Sequence, residues 1–172
     1  MRKRSANDNP LVAEGDRGRR LAAAKLDNSP VRLISDDALA VVTIYQEAAN
    51  EPFEGKVAVG HVILNRMAKH HESDGTIAGT VLEAFAFSGW NSTEKSSAIE
   101  KLRIRSVQID DSNDAVSECR RAWAAAQEGS DITHGALFYF NPAGVSGTPS
   151  WVVGCDLVAT IGHHRFYRPK AA

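Results

Sequence analysis

The sequence predicts an α+β fold: a mainly helical domain with a small antiparallel β element near its C-terminus. Three observations lead there. Two apolar stretches, 36–49 and 53–70, follow one another across a break at Asn50 and Pro52. A further helical pattern occupies 114–127. Beyond Gly129 the composition turns to aromatic and β-branched residues punctuated by Gly, Pro and Asn, as in short strands joined by turns.

The 172 residues suit one domain with a short extension, and 43% of them are apolar, enough for a core. Residues 1–30 are polar and read as a flexible basic N-terminal arm, with a short helix possible at "RGRRLAAAKL". Residues 31–172 form the single folded domain. Ser35 is the expected N-cap of its first helix, with Asp36 and Asp37 suiting the first turn. Apolar positions run nearly all round this helix from Ala38 to Tyr45, so it is central. Pro52 falls in the first turn of the second helix, about Phe53 to His70. Gly60 in the middle of that helix marks close approach of another backbone, because glycine there otherwise costs about 1 kcal/mol. "HHESDGTIAG" reads as a loop, and 92–113 is polar and poorly patterned. In the helix at 114–127, Val116, Cys119 and Trp123 share one face, so the Cys119 thiol is buried. Gly129 stops it. Strands are expected at 136–140, 157–161 and 164–167.

Net charge is −1, which implies no global attraction to nucleic acid. The arm carries seven Lys/Arg against four Asp/Glu, and the rest thirteen against seventeen. That arm is either simply solvated or a weak contact for anionic envelope polymers or lipid headgroups. Two cysteines, Cys119 and Cys155, make no disulfide framework, and their pairing stays open. "MRKRS" is followed by polar residues rather than an apolar signal core, and no run approaches the roughly 18–20 residues that span a bilayer. The expectation is a chain made soluble in the cytoplasm.

Phosphate loops, a GxSxG elbow and HExxH or CxxC metal motifs are absent. His61 reads as a hydrogen-bonded core histidine. A zinc site built from His134, His164 and a carboxylate would suit an amidase cutting the stem peptide from its sugar. The acids remain. Glu47 follows Ile44 and Tyr45, precedes two alanines and sits near a helix C-terminus. Apolar walls and the negative end of a helix both favour the protonated form of a carboxyl, which a general acid needs. Alternatively, Glu47 is a partly exposed helix residue paired to Arg66 or another cation.

"IYQEAANEPFEGKVAVGHVILNRM" resembles the signature of the SleB-like cell wall hydrolases, the spore cortex-lytic group and its phage relatives. Tyr45, Glu47, Ala48, Glu51, Pro52, Gly55 and Leu64-Asn65-Arg66 match. "AFSGW", "HGALFYFNP" and "TIGHHRFYR" resemble later elements of that family, so the likeness covers about 36–168. Gln46 stands where the family often has a small residue, and Ala49-Asn50 replace an Arg-Gly pair. These departures bear on substrate detail rather than on Glu47.

The resemblance implies a lysozyme-like, lytic-transglycosylase-like catalytic domain acting on bacterial peptidoglycan, without metal or other cofactor, as a monomer. Glu47 is then the acid/base on the bond between N-acetylmuramic acid and N-acetylglucosamine. The sugar's own 6-hydroxyl attacks in a lytic transglycosylase; Glu51 or another acid activates water in a muramidase. Tyr45, Phe87, Trp90, Tyr139 and Tyr167 are candidates to stack on sugars. Ser88, Asn141 and His164 are candidates to bond the glycan or position Glu47. An endolysin of phage or prophage, reaching the wall through a membrane lesion, fits this reading. An inactive wall-binding or phage-particle protein retaining the fold is the non-enzymatic alternative.

Overall fold

The computed structural model describes residues 35–90 and 114–171. The arm, its possible helix and the 92–113 segment considered above lie outside the described residues. Helix α1 spans Asp36–Ala48, α2 Phe53–Lys69, α3 Ile77–Val81 and α4 Asp114–Glu128. Strands β1 (Phe138–Phe140), β2 (Cys155–Ile161) and β3 (His164–Pro169) follow. Short 3-10 turns occur at Ser88–Trp90 and Ser150–Gly154.

Helix α1 starts as expected, its Ser35 hydroxyl accepting the Ala38 N–H at 3.2 Å. It is the central helix: Leu39 to Ile44 and Ala48 are all buried. Pro52 caps α2 from just outside instead of sitting in its first turn. Helix α2 ends at a left-handed His70, with the His71 N–H returning to the Arg66 carbonyl. A methyl at Gly60 would lie 2.8 Å from the Cβ of Ala126, so α2 and α4 touch where the sequence lacks a side chain. Trp123 of α4 donates its indole N–H to Asp37 at 2.7 Å, fastening α4 to the start of α1.

Helix α3 begins within the "HHESDGTIAG" stretch expected as a loop, and the two 3-10 turns have no counterpart in the expected elements. They are too short for apolar periodicity to reveal them. Their anchors are local: the Thr76 hydroxyl accepts the Gly79 N–H at 2.9 Å to cap α3.

The sheet is antiparallel in the order β1-β3-β2, with a bulge between Leu157 and Ala159. Its inner face packs Phe166 with Ala58 and Val62 of α2 and with Ala136. Cys119 is buried, which pushes its thiol up to about 11, and both cysteines are free. His61 is buried on α2 but departs from expectation. Neither ring nitrogen has a hydrogen-bond partner, and the nearest acid, Asp131, stands 4.0 Å away. Burial holds this ring toward its neutral form.

Candidate active site

Glu47 lies in the last turn of α1, half-buried, where the Ser88–Trp90 turn and β1 meet it. The Ser88 hydroxyl donates to Glu47 Oε1 at 3.0 Å, and the Gly89 N–H donates to the same oxygen at 3.2 Å. The Tyr139 hydroxyl donates to Oε2 at 3.2 Å. Burial, and then the neighbouring Glu47 carboxylate, raise Tyr139 well above the ordinary phenol range, so it remains a donor. Two of the three partners are hydroxyls, which donate or accept as required. The same shell therefore accommodates Glu47 ionised or protonated.

Each wall of this shell has a physical reason. Trp90 is buried in the core (4% exposed) and donates its indole N–H to the Thr43 hydroxyl on α1 at 2.9 Å. That bond pins the 3-10 turn one helical turn away from Glu47. Gly89 lets the turn close, because a Cβ there would fall 1.7 Å from Oε1 of Gln46. The Gln46 amide is itself buried with no hydrogen-bond partner. Tyr139 is delivered by α2. Asn65 Nδ2 donates to the Ala136 carbonyl (3.2 Å) and to Asp131 (3.0 Å), and Arg66 Nε donates to the Leu137 carbonyl (2.8 Å). The Asn-Arg pair thus fixes the chain entering β1. Arg66 Nη1 also donates to the Ala86 carbonyl at 3.0 Å, with its guanidinium over the rings of Phe87 and Phe138. Its nearby acid is Glu72, at 3.7 Å, so the alternative of a Glu47–Arg66 ion pair is not what forms.

Of the residues singled out from the sequence, Glu47, Ser88 and Tyr139 come together directly. His164 stands beside them, its ring edge-on to Tyr139 at 5.0 Å. Its Nδ1 is buried without a hydrogen-bond partner, 3.9 Å from Glu51 Oε1. Tyr139 serves as a hydrogen-bond donor to Glu47, a role different from stacking.

The remaining candidates are placed away from the Glu47 carboxyl. Phe87 is 2% exposed and Trp90 is equally hidden, so neither ring is available to a sugar. Tyr167 is buried too. It projects on the sheet face opposite Tyr139, stacked on Phe140 at 5.7 Å and edge-on to Trp151 at 5.4 Å. Strand alternation decides this, since residues one apart point to opposite faces. Tyr45 precedes Glu47 by two residues, roughly 200° round the helix, and faces elsewhere. Asn141 uses its side chain to accept the Ala143 N–H at 2.9 Å in the turn after β1.

Glu51 is buried at 8% exposure and engaged on both oxygens. Oε2 accepts the His163 N–H at 2.8 Å, and Oε1 meets the His163 ring at 3.1 Å. Burial opposes its charge, but these bonds and the nearby His164 outweigh burial and hold Glu51 below the usual carboxylate range. Its carbonyl accepts from buried Lys56, which also pairs with Glu118 at 2.9 Å. Glu51 is therefore a clasp between the α1–α2 corner and the β2–β3 turn. Among the described residues no three His, Cys, Asp or Glu side chains are arranged to hold a metal ion, and that includes the imagined His134–His164 pair.

The sequence model of the Cell Wall Hydrolase family matches residues 50–167. This chain belongs to that family. The match begins three residues after Glu47. Among Cell Wall Hydrolase relatives, the spore cortex-lytic enzyme of Bacillus subtilis is 30% identical over 139 residues, covering 81% of this chain and 37% of the relative. That of Oceanobacillus iheyensis is 32% identical over 132 residues, covering 77% of this chain and 41% of the relative. The chain thus spans about two fifths of the length of these curated relatives. Its fold is similar to the catalytic domain of the germination-specific lytic transglycosylase SleB from Bacillus anthracis. The TM-score is 0.57 at 28% identity, over 81% of this chain and 99% of that one. The catalytic domain of Bacillus cereus SleB gives 0.57 at 26%, over 83% and 97%. The mainly helical, lysozyme-like α+β architecture expected of this Cell Wall Hydrolase is therefore the one observed.

Proposed function

We propose that this chain cleaves the glycan strand of peptidoglycan between N-acetylmuramic acid and N-acetylglucosamine, with Glu47 as general acid and then base. The observation that carries the reading is the Glu47 carboxyl held by Ser88, Gly89 and Tyr139. Protonated Glu47 gives its proton to the glycosidic oxygen as the C1–O bond breaks. The resulting carboxylate takes the proton of the 6-hydroxyl, whose oxygen bonds C1. The product is a 1,6-anhydro sugar, and Glu47 ends protonated as it began. No water is consumed and no second carboxylate is needed, which distinguishes this route from hydrolysis.

Lytic transglycosylation is favoured over a muramidase route by Glu51. An acid whose two oxygens are occupied by His163 is poorly placed to activate water. The fold likeness to a lytic transglycosylase domain supports the same choice. The proposal extends to delivery as an endolysin. Added protein should then clear permeabilised bacteria and leave intact ones turbid.

The chemical test is incubation of purified peptidoglycan with wild type and Glu47→Gln, with mass spectrometry of the released fragments. Anhydro-muropeptides from wild type alone are expected. Reducing ends without the anhydro mass would mean hydrolysis. Equal release by both proteins would remove Glu47 from the chemistry.

A further inference from the structure

We propose that His164 binds the glycan strand beside Glu47, its Nε2 accepting a hydrogen bond from a sugar hydroxyl while Glu51 fixes the Nδ1 edge of the ring. The inference rests on the glycan-cleaving reading above and adds a substrate contact to it. Placement, burial and charge each point to it.

Placement comes from the strand. His164 opens β3 and pairs with Ile161 across the Gly162-His163 turn. Residues two apart on a strand share a face, so His164 lies on the inner face with Phe166, which stands opposite Tyr139 in register. The His164 ring lies 5.0 Å from the ring of Tyr139, whose hydroxyl holds Glu47. The turn is fastened where the first two helices meet. Glu51 Oε2 accepts the His163 N–H at 2.8 Å, and a Cβ at Gly162 would fall 2.1 Å from the same oxygen. Gly162, at φ +58°, thus admits the carboxylate.

Burial is one-sided. The His164 side chain is 9% exposed, and its Nδ1 is sealed with no hydrogen-bond partner. Nε2 is not among the sealed atoms, and among the described residues no protein group bonds it. An apolar side chain would fill this place on the sheet without stranding a ring nitrogen. A buried polar group that the fold leaves unpartnered calls for a partner from outside the fold.

Charge sets what Nε2 can do. Nδ1 faces Glu51 Oε1 at 3.9 Å, too far for a hydrogen bond. The carboxylate still decides the tautomer, because it attracts an N–H and repels a lone pair. Burial, the largest influence on the ring, holds it toward its neutral form; Glu51 and Glu47 oppose that, and His163 adds to it. These three and the Tyr139 phenol are the titratable groups that face it. A neutral ring with its proton on Nδ1 offers a lone pair at Nε2. A glycan hydroxyl supplies the matching donor, whereas a stem-peptide carboxylate does not.

The test uses the full chain carrying Glu47→Gln, so that substrate survives, titrated calorimetrically with peptide-free glycan strands. His164→Met removes the acceptor and should weaken binding about tenfold, the scale of one hydrogen bond, with the melting temperature unchanged or raised. His164→Gln sets an amide oxygen near the Nε2 position and should keep binding within about threefold. Protonation turns Nε2 into a donor, so affinity with His164 present should fall from about pH 7 to about pH 5, a dependence the Gln variant should lose. A merely structural ring would instead lower the melting temperature in both variants and leave affinity alone. That result overturns the proposal, as does an absence of binding whichever residue stands at 164. If wild type releases no fragments yet the Met loss and the Gln rescue appear, the cleavage reading fails and the His164 contact stands.

Discussion

The Tyr139 hydroxyl lies 3.2 Å from Glu47 Oε2, joining the middle of β1 to the last turn of α1 across 92 residues of chain. Tyr139 reaches that oxygen because Asn65 and Arg66 hold the carbonyls just before β1. The geometry of the acid thus depends on α2, which contributes no atom to it.

Removal of that hydroxyl alone tests its role. Tyr139→Phe keeps the ring packed against His164 and Phe166 and takes away one of the two donors able to follow a change in Glu47 protonation. Turnover on purified peptidoglycan should fall about tenfold or more, with the melting temperature nearly unchanged. Unaltered turnover would show that Ser88 and Gly89 suffice to orient the acid.

Gly89 should be harder to replace than Ser88. A methyl at Gly89 collides with the Gln46 amide and also lies 2.9 Å from Gln46 Cβ, so even with the amide turned aside the 3-10 turn shifts from α1, moving both donors of that turn together. Ser88→Ala removes one bond and leaves the turn in place. Gly89→Ala is expected to cut activity about a hundredfold, the scale of a displacement of roughly 1 Å. Gln46→Ala in the same chain should recover part of the loss. Full activity in Gly89→Ala would show that the contact relaxes without cost.

Acid should loosen this fold from mildly acidic pH downward. Burial lowers the folded-state values of His61 and His164 beneath the 6.5 of a free histidine. A group depressed in the folded state gives stability that is complete above its unfolded value and lost as pH falls, because the unfolded chain takes up the proton first. Glu51, lowered beneath 4.5, follows the same sign at lower pH. Melting temperature should therefore drop between about pH 7 and pH 5, and further below about pH 4.5 as the Glu51–His163 clasp is protonated. His61→Gln should flatten the first drop. A melting temperature independent of pH down to about 5 would contradict the buried, neutral state of these histidines.

The sequence by itself determined the three long helices, the break at Asn50 and Pro52, the three strands and the prominence of Glu47. Those features are written in local chemistry: periodicity, a capping serine, Gly and Pro punctuation, and one carboxylate among apolar neighbours. Even Gly60 announced a close contact, although its partner Ala126 did not. Only the tertiary structure decided which aromatic residues are core and which face water, since Phe85 and Phe87 look alike in a sequence and the turn between them points one out and one in. It also decided that Glu51 is a clasp and that Tyr139 is a donor. The partners of Glu47 lie 41, 42 and 92 residues away and His163, which holds Glu51, 112 away, and no local pattern encodes which distant atoms will arrive. Packing of α2 against β1, and of the Ser88–Trp90 turn against α1, brings them there.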